Sequence, residues 1–82
     1  MRLLIVDDNA ALAENLKELF IDEGYDAVAV GTAKEALKEA RRGFDLAVVD
    51  VRLPDMPGTT LLPRLRALQP GSESVVVTAN AD

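Results

Sequence analysis

The chain contains no cysteine, no histidine and no tryptophan among its 82 residues. Without cysteine it forms no disulfide and carries out no thiol chemistry, and without histidine it has no imidazole for acid–base catalysis, metal ligation or phosphorylation. No apolar run approaches the roughly 20 residues that a bilayer-spanning helix needs, and the apolar stretch near the N-terminus is too short for a signal peptide. We therefore expect a cytoplasmic protein whose cation ligands, if any, are oxygen atoms.

The balance of charge excludes a further class of function. The chain has 9 basic and 14 acidic residues and a formal net charge of −5. It therefore lacks the basic surface that a phosphate backbone requires, and we expect no direct contact with nucleic acid. An apolar fraction of 49% with 28% charged residues is typical of a folded chain. A chain of this length forms one small domain of marginal stability.

Short apolar runs alternate with segments in which apolar residues recur at helical spacing. The runs predict four buried strands, at residues 3–6, 26–30, 45–49 and 75–77. The segments between them predict three helices, over about residues 10–23, 33–42 and 60–68. Strands that alternate with helices imply right-handed crossovers and a parallel sheet with helices on both faces, so the fold class is α/β.

Capping residues and proline predict where the helices begin. Asn9 and the two residues before it offer capping groups for the first helix, and Thr32 offers one for the second, with Glu35 as its capping-box partner. Pro63 is tolerated only in the first turn of a helix, so the third helix is expected to start nearer Thr60 than Gly58. The second helix has an inner face of small residues suited to close packing on a sheet: Ala33, Ala36, Leu37 and Ala40.

Three acidic residues follow two of the predicted strands directly. Asp7 and Asp8 come after the first strand, and Asp50 comes after the third. Because ligands of open parallel sheets bind outside the carboxyl ends of the strands, these carboxylates are expected to meet in one crevice. Carboxylates within about 4–6 Å raise each other's pKa, and a bound cation offsets the repulsion between them. Mg²⁺ is held in this way by one or two carboxylates together with water and phosphate oxygens.

The predicted chemistry is phosphoryl transfer. Asp50 would attack a phosphoryl group as a nucleophile, while Mg²⁺ held by Asp7 and Asp8 offsets the negative charge that develops on its oxygens. Thr78, at the end of the fourth strand, would donate its hydroxyl to a phosphoryl oxygen. Taken singly, these residues also have ordinary explanations as helix cap, loop residue or strand residue. It is their joint placement at strand ends that favours a site.

Two other charged residues near the site have simpler interpretations. Asp55 lies in a segment dense in turn formers, and we interpret it as a turn residue rather than a metal ligand. We interpret the side chain of Arg52 as a solvated loop charge rather than a catalytic group. Neither side chain is therefore assigned to the chemistry.

The chain resembles the receiver domain of two-component response regulators, whose fold is flavodoxin-like (CheY-like), a three-layer arrangement around a parallel sheet. Three segments carry the resemblance: LLIVDDN at residues 3–9, LAVVDVRLPDMPG at 46–58 and VVVTA at 75–79. It implies that Asp50 accepts a phosphoryl group from a histidine kinase or a histidine phosphotransfer protein, and that Thr78 is the switch hydroxyl. It also implies that Mg²⁺ is ligated by Asp7, Asp8, Asp50 and the backbone carbonyl of Arg52. A receiver is not itself an enzyme, and it passes its signal to an output domain or partner.

The sequence departs from a complete receiver at its end. A receiver has five strands and five helices, whereas this sequence stops after the fourth strand and lacks the fourth helix, fifth strand and fifth helix. The paired lysine and the aromatic switch residue would lie in that part. We therefore expect residues 1–82 to be a single truncated receiver domain, part of a longer regulator. The exposed edge of the fourth strand is expected to drive self-association or domain swapping.

Two alternatives of different classes remain open. One is a non-phosphorylated fragment that self-associates through its exposed sheet edge. The other is an aspartate-nucleophile phosphatase of the haloacid dehalogenase type, which also places its aspartate after an apolar strand. That family requires a second acid two residues after the nucleophile, where this chain has Arg52.

Overall fold

The computed structural model describes residues 1–77, which form four strands and three helices in strict alternation. In chain order these are β1 (Arg2–Val6), α1 (Ala10–Asp22), β2 (Asp26–Val30), α2 (Ala33–Ala40), β3 (Leu46–Asp50), α3 (Gly58–Leu68) and β4 (Glu73–Val77). All neighbouring strands pair in parallel, in the order β2-β1-β3-β4. The predicted element order and parallel sheet are confirmed, and β3 lies one residue further along the chain than the predicted 45–49, at Leu46–Asp50.

The sheet separates two hydrophobic clusters, which gives three layers. On one face α2 and α3 cover a cluster built of Leu4, Val6, Ala33, Ala36, Ala40, Phe44, Ala47, Val49, Leu61 and Leu65. On the other face α1 covers a smaller cluster of Leu3, Ile5, Ala13 and Ala27. The three alanines of α2 are fully buried, so their lack of bulk lets the helix backbone lie close to the sheet. The predicted inner face of α2 is thereby confirmed.

The first two helices begin at the predicted caps. The Asn9 side chain accepts a hydrogen bond from the Leu12 N–H at 3.1 Å at the start of α1. At the start of α2 the Thr32 hydroxyl accepts from the Glu35 N–H and donates to the Glu35 carboxylate, both at 3.1 Å. Each helix is followed by a glycine with positive φ, Gly24 after α1 and Gly43 after α2. Local side-chain chemistry therefore sets these boundaries.

The predicted start of α3 was wrong. The helix begins at Gly58 rather than near Thr60, which places Pro63 in its second turn. The reason is tertiary: the Gly58 N–H donates to the Val51 carbonyl at 2.9 Å, which fixes the first residue of the helix against the end of β3. The carbonyl of Pro57 then accepts from the Thr60 N–H at 3.0 Å, so the first turn forms before the proline. Pro63 itself is exposed, and water can satisfy the carbonyl that its missing N–H leaves unpaired.

The outer strand β4 leaves part of the sheet uncovered. Val48 packs in the cluster beneath α1, and its register partner is Val75, so Val75 and Val77 lie on the face that α1 covers. They are nevertheless 46% and 44% exposed because α1 does not reach them. Among the described strands, β4 pairs only with β3. No helix within residues 1–77 is long and apolar enough to cross a membrane.

Candidate metal centre

Three carboxylates meet at the carboxyl edge of the two central strands. Val6 and Val49 are register partners in adjacent strands, so the residues that follow them, Asp7 and Asp50, are neighbours. Asp7, Asp8 and Asp50 each offer a carboxylate oxygen, and these oxygens lie within 4.8 Å of one another. The structure therefore brings together all three acids that the sequence predicted to share a crevice.

Asp7 is the most constrained of the three carboxylates. Its side chain is only 8% exposed, and its Oδ1 accepts a hydrogen bond from the Asn9 N–H at 2.9 Å. Its own N–H donates to the Val30 carbonyl at 3.0 Å, which extends the β1–β2 ladder by one residue. Burial raises the pKa of the Asp7 carboxyl above its ordinary value, against the Asn9 hydrogen bond, and the charges of Asp50 and Asp8 raise it further. A cation beside these oxygens would stabilise the ionised form.

The donor set fits a hard divalent cation. All three donors are carboxylate oxygens, the ligands that Mg²⁺ and Ca²⁺ take in proteins. Asp8 is exposed and Asp50 is half-buried, so the site opens to solvent on one side. That opening leaves room for the waters or phosphate oxygens that complete the coordination of Mg²⁺. The residues that would hold the ion are thus the ones at the ends of β1 and β3.

Gly58 packs directly on the backbone of Asp50. A Cβ atom at Gly58 would overlap the carbonyl oxygen of Asp50 and would lie 3.0 Å from its carbonyl carbon and 3.1 Å from the Val49 Cγ1 atom. Only glycine therefore allows α3 to start where it does. This contact fixes the end of β3, which carries Asp50. The residues next to Gly58 in the sequence do not predict the contact.

The loop between β3 and α3 is a compact hairpin-like turn. Arg52 and Pro57 form an isolated antiparallel bridge, supported by the hydrogen bond from Gly58 to the carbonyl of Val51. In the part of the chain that the structure describes, no hydrogen bond of the turns and loops ends on the Arg52 carbonyl. That oxygen remains available to a ligand. The Arg52 side chain is exposed, in agreement with its interpretation as a solvated charge.

Asp55 caps helix α2 from this loop, a role that the sequence did not predict. Its two carboxylate oxygens accept hydrogen bonds from the Ala33 N–H at 2.9 Å and the Lys34 N–H at 3.0 Å. Both hydrogen bonds lower the pKa of Asp55, and the bond from Ala33 has the larger effect. With Thr32 accepting from Glu35, the first three N–H groups of α2 are all satisfied. Asp55 is thus more than a turn residue, and it joins α2 to the loop that follows Asp50.

The predicted switch hydroxyl, Thr78, lies outside the described residues. The last residue that the structure describes, Val77, is the register partner of Asp50, and its carbonyl accepts from the Val51 N–H at 3.0 Å. The role of Thr78 stays a prediction.

Comparison with known proteins identifies the family. The response regulator receiver domain family matches residues 3–82. A response regulator receiver protein of Anaeromyxobacter sp. (strain Fw109-5) is 42% identical over 80 residues, which cover 96% of this chain and 34% of the relative. The chain thus spans about a third of the length of the curated relatives it matches.

Solved structures share the fold, and two of them serve as examples. A CheY-like receiver domain protein from Methanospirillum hungatei JF-1 superposes with a TM-score of 0.91 at 40% identity, over 99% of this chain and 66% of that one. A response regulator from Burkholderia pseudomallei, solved with a phosphorylated aspartic acid, a calcium ion and citrate, gives 0.91 at 32% identity, over 99% of this chain and 48% of that one. These matches confirm the resemblance and the flavodoxin-like fold. The chain belongs to the response regulator receiver domain family.

Proposed function

We propose that this chain is a phosphoacceptor module of a two-component system, in which Asp50 takes a phosphoryl group from a histidine kinase or a histidine phosphotransfer protein. The observation that carries the proposal is the set of three carboxylate oxygens within 4.8 Å at the ends of β1 and β3. Asp7, Asp8, Asp50 and the Arg52 carbonyl would hold Mg²⁺, and Thr78 would contact the phosphoryl group. The phosphorylated aspartate and calcium ion of the Burkholderia pseudomallei relative support this assignment.

The transfer is a nucleophilic displacement at phosphorus. A carboxylate oxygen of Asp50 forms a bond to phosphorus as the phosphorus–nitrogen bond of phosphohistidine breaks, and the electron pair leaves with the imidazole nitrogen. When bound, Mg²⁺ supplies the positive charge that offsets the growing charge on the phosphoryl oxygens. A carboxylate nucleophile needs no separate general base, which agrees with the absence of histidine from the chain. The Gly58 contact holds the backbone of Asp50 in place while the bond forms.

The module would act as an acceptor rather than as an enzyme, because the phosphoryl group stays on the chain that attacked it. Its partners would be the phosphodonor and an output domain or partner, with no membrane and no nucleic acid bound directly. Arg52 disfavours a haloacid dehalogenase type of phosphatase, because a second acid is required at its position. Residues 1–82 as a single domain, and a cytoplasmic location, stay predictions.

Self-association through β4 is the second candidate. It rests on the exposure of Val75 and Val77 along a strand that has one described neighbour. Exposed apolar edge strands are templates for pairing with a second chain. Multi-angle light scattering of the chain and of a Val77→Lys variant would test it, since a dimer that the charge dissociates is expected. A monomeric parent would exclude it.

The phosphoacceptor is tested by intact mass spectrometry after incubation with Mg²⁺ and acetyl phosphate. The parent chain should gain the mass of one phosphoryl group, and Asp50→Asn should gain none. Asp26→Asn, an equivalent change at the start of β2 on the opposite edge of the sheet, should react like the parent. An adduct on Asp50→Asn, or none on the parent, would contradict the proposal. Continuous release of phosphate with no retained adduct would indicate a phosphatase instead.

A further inference from the structure

A groove between α2 and α3 gathers positive charge on this acidic chain. The groove has a volume of about 390 Å³. Four cations line it: Lys34 and Lys38 of α2, Arg41 at the end of α2 and Arg64 of α3. They are four of the nine basic residues in a chain whose net charge is −5. The α2–α3 groove is therefore a local reversal of the overall charge.

Within residues 1–77 none of these four cations forms an ion pair with a carboxylate. The two ion pairs within residues 1–77 join Arg2 to Glu39 and Lys17 to Glu14, and neither lies in the α2–α3 groove. Asp55 is the single acid of the lining, and its oxygens accept hydrogen bonds from the first turn of α2 rather than from a cation, so four positive charges and one negative charge leave the lining with a net charge of +3. The cations of the groove therefore face solvent with their charge available to a partner.

The lining of the α2–α3 groove also includes an apolar surface. Leu37 of α2 and Met56 of the β3–α3 loop are partly buried, and both pack against the larger core cluster. The core cluster supports these two side chains, and they contribute apolar atoms to the lining of the groove. A ligand that fills it would therefore meet hydrocarbon in the groove and ammonium or guanidinium groups around it.

We propose that the α2–α3 groove binds an acidic segment of a partner protein that carries apolar side chains between its carboxylates. The four cations select negative charge, and Leu37 with Met56 provides a contact that a phosphate backbone would leave unused. None of the lining residues is a proposed ligand of the metal centre, so the groove does not depend on phosphoryl transfer and can be tested separately.

The surface position of the cations predicts how binding responds to salt. Charges at the rim of an interface mainly speed association and select the partner, and their effect is screened within about 8 Å at physiological ionic strength. Affinity for the acidic segment should therefore fall steadily as NaCl is added. The apolar contact should leave residual binding that salt does not remove.

The experiment measures fluorescence anisotropy of a fluorescein-labelled peptide in which glutamates and aspartates flank two leucines, titrated with the full chain. The triple variant Lys38→Glu, Arg41→Glu, Arg64→Glu should weaken binding by about tenfold or more. Arg66→Glu is the matched control, because it lies on α3 about 200° around the helix from Arg64, and it should change affinity by about twofold or less. Circular dichroism would confirm that each variant retains its fold.

Control peptides separate the two halves of the proposal. Replacing the acids by lysines should abolish binding, and replacing the leucines by serines should weaken it. Equal losses in the triple variant and Arg66→Glu, or equal binding of the acidic and lysine peptides, would overturn the proposal. So would tighter binding of a duplex oligonucleotide than of the peptide. If light scattering shows a dimer of the chain that the peptide dissociates, the α2–α3 groove is assigned to self-association instead.

Discussion

Replacing Gly58 by alanine tests whether α3 really starts against the backbone of β3. The added Cβ would overlap the carbonyl oxygen of Asp50 and would lie 3.0 Å from its carbonyl carbon and 3.1 Å from the Val49 Cγ1 atom. Two of these three atoms belong to the backbone of the central sheet, so they cannot rotate away as a flexible side chain can. The start of α3 or the end of β3 must move.

The magnitude follows from two opposing terms. Overpacking of this kind lowers the free energy of unfolding by about 1–3 kcal/mol. Alanine in place of glycine in a helix returns at most about 1 kcal/mol. The backbone nature of the contact favours the upper part of the first range, which leaves a net loss of about 2 kcal/mol. For a chain of this size that corresponds to a fall in melting temperature of about 8–16 °C.

Thermal unfolding followed by circular dichroism measures this change. Gly71→Ala is the matched control, because no atom lies within 4 Å of the position its Cβ would take and its φ is not positive. Its free energy of unfolding should stay within about 0.5 kcal/mol of the parent value. Gly58→Ala should also bind Mg²⁺ more weakly, since Asp50 shifts with its carbonyl. A Gly58→Ala variant that melts at the parent temperature would refute the close contact.

Three further predictions concern the carboxylates and one helix end. Asp7→Asn should raise the melting temperature in the absence of divalent cation, because burial raises the pKa of Asp7 and so disfavours its charged form. The variant should also lose the increase in melting temperature that MgCl₂ gives the parent. A lower melting temperature than the parent without the cation would contradict this. Because the pKa of Asp7 is raised on folding, the folded state binds a proton on this carboxyl more tightly than the unfolded state does. The contribution of Asp7 to the free energy of unfolding therefore falls as pH rises from 3.8 to the folded pKa. Urea titrations of the parent and of Asp7→Asn across this pH range would measure the change. Asp55→Ala should lower the melting temperature at pH 7, because the variant loses the cap of α2. Since the pKa of Asp55 is lowered, the difference from the parent should vanish as pH falls from 3.8 through the folded pKa. A difference that persists below that pH would exclude the cap. Gly24→Ala should cost about 1 kcal/mol in denaturant unfolding, since alanine is strained at the φ of +94° found there, whereas an unchanged midpoint would exclude that conformation.

The sequence predicted those features that depend on local chemistry. Strand and helix alternate in distinct hydrophobic periods, and the caps at Asn9 and Thr32 are decided by side chains a few residues away. The meeting of Asp7 with Asp50 was also predictable, because both follow central strands and parallel strands end at one edge. For these elements local preference and tertiary fold agree.

The features that sequence reasoning missed depend on contacts between distant segments. Pro63 suggested a late start for α3, but the hydrogen bond from Gly58 to Val51 and the packing of Gly58 on Asp50 outweigh the cost of one proline in the second turn. Asp55 caps α2 across 22 residues of sequence, and nothing near it marks that role. Such pairings emerge only once the topology places the β3–α3 loop beside the start of α2.

Calorimetric titration of Mg²⁺ into the chain tests most directly whether Asp7, Asp8 and Asp50 act together on one cation. Asp8 is the best residue to change, because it is exposed and its substitution by asparagine leaves the core intact. The parent should bind one Mg²⁺, Asp8→Asn should bind it about tenfold more weakly or worse, and Asp26→Asn should bind it like the parent. Equal affinity in the parent and Asp8→Asn would contradict a shared metal centre.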